Sequence, residues 1–249
     1  MSAYDNFASV YDILMSDADY EKRSEYILEL FKGFDRKPTL LLDVACGTGT
    51  FSNLFAETGL EVIGADISEE MLSVARENSA EMGLNVLYLC QSAEELDLYG
   101  TVDGAVCLMD SINHITDKNA LQKAFSRISL FLEPERLFIF DVNTPFKHKE
   151  ILGNNTFILD EEGVYCVWQN EYNQNTHETQ ITLDFFLEDG DRYFRSGEEF
   201  CERAYTNDEL EKMLTYAGFK IEAVFDDLTQ NPPTEKSERL FYICRKNLP

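Results

Sequence analysis

From Thr39 onward the chain alternates short apolar runs with amphipathic stretches. Apolar runs near 39–44, 60–66, 85–89, 102–108 and 135–142 read as strands, and 3.6-residue periodicity near 50–58, 69–82 and 118–132 reads as helices. Alternation at this spacing predicts a doubly wound α/β sheet, with ligands at the carboxyl ends of its strands. Residues 1–34 carry a helical stripe (Tyr20, Tyr26, Ile27, Leu30, Phe31) that Pro38 ends. After Pro145 the texture changes: Thr156–Asp160, Val164–Tyr172, Gln180–Glu188 and Arg192–Ala204 are rich in β-branched and aromatic residues, and Asp189-Gly190 marks a hairpin. These read as a small antiparallel sheet inserted after the fifth strand. Asn207–Gly218 then reads as a helix, and Phe219–Asp226 and Arg239–Lys246 as a final antiparallel edge pair. The expected organisation is an N-terminal helical lid segment over 1–34, a main domain over 35–150 and 205–249, and an inserted lobe over 151–204.

The densest signal is Leu40-Leu41-Leu42-Asp43-Val44-Ala45-Cys46-Gly47-Thr48-Gly49-Thr50, an apolar strand running into a Gly-x-Gly turn and then a helix. Glycines there let the backbone lie against a ligand, and the helix start offers unpaired N–H groups. A second strand, Glu61–Ala65, ends on Asp66, placed to take both hydroxyls of a ribose. Together they indicate a nucleoside cofactor. A dinucleotide site wants a third glycine where Ser52 stands, and Asp43 would repel a pyrophosphate but attract an ammonium group.

The fragment resembles motif I of the class I S-adenosylmethionine (AdoMet) methyltransferases, and later segments agree in order and spacing. Ile67–Leu72 resembles the start of the helix after the ribose carboxylate. Leu89-Cys90-Gln91-Ser92-Ala93 resembles the segment that holds the adenine, Val102–Cys107 the fourth strand and Leu137–Asp141 the fifth. The resemblance covers roughly residues 35–145 and implies a seven-stranded Rossmann-like fold, parallel with one antiparallel edge strand. It also implies AdoMet as cofactor, with S-adenosylhomocysteine (AdoHcy) as product. Carried over onto this sequence, the cofactor set is Tyr4, Asp43, Ala45, Cys46, Gly47, Gly49, Asp66, Ile67, Gln91, Ser92, Ala93 and Leu108. Ser92 stands where the family often has an acid for the adenine amino group; Gln91 or the backbone could contribute there. Ile67 reads equally as an adenine contact and as a core residue.

Methyl transfer from a sulfonium mainly requires positioning and exclusion of water, with a base only where the acceptor arrives protonated. His114, in Leu108–Ile115 after the fourth strand, is similar to a histidine of amino-sugar N-methyltransferases and reads as a base or orienting group; capping the next turn is the alternative. Tyr4, Phe7 and Tyr11 fall on one helical face and resemble a segment that closes over the cofactor, with Tyr11 as a second catalytic candidate; a helix docked on the sheet is the alternative. Asp110, Asp141 and Asn143 could hold Mg²⁺ in catechol-type relatives, but the order Asp-Val-Asn departs from that pattern, and loop-capping bonds with no metal are expected. The insert resembles the strands that glycine N-methyltransferase-like and nucleotide-linked amino-sugar N,N-dimethyltransferases place over their acceptors. It is also a candidate homodimer interface.

Charge narrows the acceptor. Twenty-one basic against 46 acidic residues, a net −25, argues against nucleic acid; the acidity would draw in a cationic cofactor or amine, but service to solubility alone is the stronger alternative. The insert's only basic residues are Arg192, Arg195 and Arg203, few partners for a sugar nucleotide's diphosphate unless they are grouped. The expected activity is methylation of a small molecule, nitrogen slightly preferred over oxygen. Rivals are an aminopropyltransferase of the same fold and a non-catalytic AdoMet-binding subunit; an NAD-dependent reductase is disfavoured by Ser52 and Asp43. No apolar run is long enough to span a membrane, and six scattered cysteines without a C-x-x-C pair read as buried reduced thiols in the cytoplasm.

Overall fold

A computed structural model describes residues 13–14, 18–161 and 163–248. Tyr4, Phe7 and Tyr11 lie outside the described residues. Seven strands form the main sheet: β1 (Leu40–Val44), β2 (Glu61–Asp66), β3 (Val86–Cys90), β4 (Gly104–Cys107), β5 (Leu137–Asn143), β10 (Phe219–Asp226) and β11 (Arg239–Lys246), in the order β10-β11-β5-β4-β1-β2-β3. β11 alone runs antiparallel to its neighbours, lying between β10 and β5, so the expected antiparallel pair closes that edge. The order reverses between β1 and β4, which opens a crevice at their carboxyl ends.

The strands lack polar alternation because both faces are covered; all seven residues of β5 are buried. On one face Leu42, Phe138, Phe140 and Tyr242 pack against α5 (Lys118–Phe131) and α6 (Asn207–Tyr216), the latter through Leu210 and Leu214. On the other, Leu41, Val106, Ile139 and Ile243 pack against Ile27, Leu30 and Phe31 of α1 (Tyr20–Phe34) and Phe55 of α2 (Thr50–Glu57). The helix after β2, α3 (Glu69–Glu81), is started by Ser68, whose hydroxyl accepts from Met71 N at 3.2 Å. Asp117 starts α5 in the same way, at 2.8 Å from Ala120 N, and Thr206 with Glu209 forms a reciprocal capping box for α6.

The second sheet is antiparallel, β6 (Thr156–Glu161), β7 (Val164–Asn173), β8 (Glu178–Asp189) and β9 (Arg192–Arg203), with Asp189 opposite Arg192 across the expected hairpin. Its inner face gathers Val164, Cys166, Ile181, Leu183 and Phe185 into a small core that Leu14 and Phe200 join. All six cysteines are free, but Cys90 is exposed and Cys46 and Cys201 only partly covered, correcting the expectation of six buried thiols. Cys90 ends an edge strand, where the sheet no longer covers it.

Candidate active site

At the end of β1 the backbone enters the left-handed region at Ala45 (φ 57°), Gly47 (φ 56°) and Gly49 (φ 77°). Two different constraints explain the glycines. A Cβ on Gly49 would stand 2.3 Å from the Tyr88 hydroxyl, so the helix that follows can sit this close to β3 only without a side chain. A Cβ on Gly47 would meet nothing within 4 Å, because that face of the turn opens into the crevice. Asp66 locks the turn: its Oδ2 accepts from Gly47 N at 2.9 Å and its Oδ1 from Ser68 N at 2.8 Å. Each oxygen keeps a lone pair for a further donor, such as a ribose hydroxyl. Burial, only partly offset by those bonds, raises the Asp66 carboxyl above its ordinary value.

Asp43 is buried to 2 % exposure and accepts from Ser52 Oγ at 2.6 Å. Burial, countered by that bond but reinforced by Asp66, pushes its carboxyl up to about 7. An ammonium group at the crevice would offset that cost. Ser52 is thus a partner of Asp43, a role beyond its being merely the residue in place of a third glycine. The crevice is lined by Asp43, Ala45, Cys46, Gly47 and Leu108 of the candidate cofactor set, though not by Gly49 or Asp66, and by Tyr20, Thr48, Thr50, Phe51, Met109 and Ser111, which were not in that set. Tyr20 meets Phe51 edge to face at 5.0 Å, so the start of α1 forms part of the wall.

The adenine-side residues are placed less uniformly. Ile67 is 72 % exposed, which corrects its core reading and leaves a bare apolar side chain beside Asp66. Gln91 is committed elsewhere, donating to Asp97 O at 3.2 Å and accepting from Asp97 N at 2.9 Å. Ser92 opens the short turn Ala93–Glu95 with no bond from its hydroxyl to that turn, and Ala93 packs on the main core.

Past β4 the chain turns through Met109 (φ 54°) and Asp110 (φ 51°) into the single turn α4 (Ser111–His114). Asp141 pins this strained pair by accepting from Met109 N at 2.8 Å and Asp110 N at 3.0 Å, while Arg239 pairs with it from β11. Asp110 accepts from Arg239 Nη2 at 2.6 Å and from Asn143 Nδ2 at 2.7 Å. Burial works to raise the Asp110 carboxyl, but Arg239, with Lys147 and His114, outweighs it and holds it near 2. Asp110, Asp141 and Asn143 are therefore joined in a capping network through Arg239, a residue that no local pattern singled out.

The His114 ring stacks on Phe200 of β9 at 5.1 Å, and its Nε2 lies 3.6 Å from Glu202 Oε1. Desolvation lowers the His114 pKa, with Asp110 and Asp66 opposing, although the ring keeps 46 % of its surface open. Behind it, His148 is fully buried on the π-helical turn Lys147–Leu152 and held by burial down to about 4. Asn113, also fully buried, donates to Asn143 O at 3.1 Å and Arg203 O at 2.9 Å and accepts from Asn143 N at 2.9 Å. Asp110, His114 and Glu202 bring ligand atoms within 4.8 Å of one another. Both Asp110 oxygens are already engaged, however, and the Arg239 guanidinium opposes a divalent cation there. A larger hollow of about 390 Å³ lies on the insert between Tyr165, Phe186 and Tyr193, lined by none of the expected site residues.

The sequence pattern of the methyltransferase-domain family matches residues 41–135. YqeM of Bacillus subtilis, a provisionally named methyltransferase, is 35 % identical over 98 % of this chain and 97 % of its own. The crystal structure of an S-adenosylmethionine-dependent methyltransferase from Clostridium acetobutylicum superposes with a TM-score of 0.90 at 31 % identity, covering 99 % of this chain and all of that one. A glycine/sarcosine N-methyltransferase of Halorhodospira halochloris is 28 % identical over 87 % of this chain and 81 % of its own.

Proposed function

Because the chain belongs to the AdoMet-dependent methyltransferases, we propose that it methylates a small molecule, at nitrogen in preference to oxygen. AdoMet supplies the electrophilic methyl group. The residues present fit it: open space over Gly47, a buried Asp43 whose raised pKa answers to an ammonium group, and Asp66 with lone pairs to spare. In this reading Asp66 takes the ribose, Ile67, Ser92 and Ala93 flank the adenine, and Cys46 and Leu108 close the walls. The Gln91 side chain drops out because Asp97 holds it.

The observation that carries the acceptor reading is the stacking of His114 on Phe200, which joins the end of β4 to the inserted sheet. That contact supports a reading in which the His114 imidazole, beside the inserted sheet, serves as proton acceptor for an amine. The long match to a glycine/sarcosine N-methyltransferase extends past residues 41–135 and supports nitrogen. The insert's arginines are not grouped: Arg195 pairs with Asp184 and Arg203 with Glu178, eight residues apart, about 27 Å along an extended strand. That spacing disfavours a diphosphate-bearing acceptor, and the net charge of −25 disfavours nucleic acid.

The test is transfer of labelled methyl from AdoMet to panels of small amines, phenols and carboxylic acids. Transfer to amines is expected; transfer confined to phenols or acids would overturn the nitrogen preference.

A further inference from the structure

Glu202 is the most costly side chain at the mouth. It is 4 % exposed, comes from the inward face of β9, and its buried Oε2 has no hydrogen-bond partner among the described residues. Its neighbours explain why. His148 Nε2 lies 3.8 Å away, but Asn113 Nδ2, a donor, approaches that same nitrogen at 3.4 Å. On its other side the ring meets Thr179 Oγ1 through Nδ1 at 2.8 Å, so His148 is held in place while its Nε2 stays beyond hydrogen-bond reach of Glu202. His114 Nε2 approaches the other oxygen at 3.6 Å without bonding it. A buried carboxyl oxygen without a hydrogen-bond partner among the described residues, beside a half-exposed imidazole, is a site that can take a further donor.

Resting on the methyl-transfer reading above, we propose that Glu202 and His114 form the subsite that receives the ammonium nitrogen of the acceptor and removes its proton, so that the acceptor is a small monocationic amine. The charged groups that act on Glu202 are Asp110 on the β4–α4 turn, Lys147 on the π-helical turn and Arg239 on β11. The Arg239 guanidinium and the Lys147 ammonium oppose a divalent ion there and leave room for a singly charged group at most.

In the vacant subsite burial, then Asp110, push the Glu202 carboxyl up to about 8, so at neutral pH it carries a proton. An arriving ammonium group displaces that proton to solvent and pairs with the carboxylate. The ammonium N–H proton then passes to His114 Nε2, whose ring is 46 % exposed and can release it. The freed nitrogen lone pair forms the bond to the methyl carbon as the carbon–sulfur bond breaks, its electron pair staying on sulfur to give AdoHcy. The methylated nitrogen leaves as an ammonium again, so charge and protons balance.

The experiment uses the full chain saturated with AdoHcy. The His114 imidazole resonances, assigned through His114→Gln, are followed by NMR as propylammonium chloride or the neutral isostere propanol is added. Propylammonium is expected to shift His114 saturably, more tightly as pH rises through about 8; propanol is expected not to shift it. Glu202→Gln should weaken the propylammonium response roughly tenfold or more, the loss of one charge-assisted bond. Gln copies the uncharged side chain of the vacant site, so the variant is expected to fold. Should it not, His114→Gln must abolish transfer to propylamine while AdoMet binding persists. No response to propylammonium at tens of millimolar, an equal response to propanol, or an undiminished response in Glu202→Gln overturns the proposal. AdoMet binding without transfer to any amine fails the nitrogen reading, whereas transfer at full rate in Glu202→Gln fails this one.

Discussion

Asp66 and Glu202, both linked to His114, are treated oppositely by the chain. Each Asp66 oxygen accepts a backbone N–H, from Gly47 and Ser68, so the carboxylate is fixed by groups that any residue would provide. Glu202 has an oxygen that accepts no hydrogen bond among the described residues, and the groups that approach it are side chains. The cofactor wall is a backbone device: left-handed turns, a strand-end carboxylate, a helix start. The acceptor wall is a side-chain device assembled from β9, α4 and the π-helical turn. A backbone device tolerates little change and binds what its whole family binds; a side-chain device can be altered at one position to change what it accepts.

The sharpest break of this contrast is Asp66→Ala. It removes both the locked turn and the ribose partner, so AdoMet affinity should fall about a hundredfold, ~2.7 kcal/mol, by calorimetric titration. A change below threefold would mean that the turn holds itself. Next is Gly49→Ala, which meets both the left-handed backbone and the Tyr88 hydroxyl at 2.3 Å. It should cost about 1–3 kcal/mol of stability in denaturant melts. The double variant with Tyr88→Phe should recover part of that loss by removing the nearest clash; no recovery would assign the cost to the backbone and to the Ala75 Cβ, which the new Cβ would meet at 2.9 Å.

Ser52→Ala is expected to act more gently. In the free protein Asp43 titrates near 7, so AdoMet binding should weaken as pH falls through that value and the carboxylate is protonated. Removing the Ser52 hydroxyl takes away the bond that favours the ionised form. That limb should move to higher pH, and affinity at pH 7 should drop by about 1 kcal/mol. An unmoved limb would show that another group governs it. The smallest effect belongs to Arg195→Ala, which breaks an exposed pair with Asp184 on the far part of the insert. Stability should change by less than ~0.5 kcal/mol and AdoMet binding not at all. A larger change would mean that the outer face of the insert is coupled to the cofactor wall.

These contrasts match what could be read along the chain. The main-sheet strands were legible because burial on both faces leaves unbroken apolar runs such as Leu137–Phe140, and the glycines of 47 and 49 lie within five residues of the strand they terminate. The insert's strands were legible from β-branched and aromatic runs and from Asp189-Gly190. The acceptor side was not. Arg239 meets Asp110 across 129 residues, and Glu202 meets His148 across more than fifty. In the sequence Glu202 is one acid among many in an acidic insert. Its only local signal is that it shares Phe200's face of the strand, two residues on, where an apolar residue belongs. Asn113 gave no signal, since a single amide in a polar turn is what a turn ordinarily contains.

That amide has a consequence of its own. Asn113 grips main-chain atoms of Asn143 and of Arg203, atoms whose positions do not depend on which residues stand there. It works as a rivet through the seam between two sheets, leaving the plating on either side free to be replaced. Descendants of this protein could exchange the side chains of β9 one at a time and come to accept new substrates while the seam, and the distance across which methyl must travel, stayed where it was.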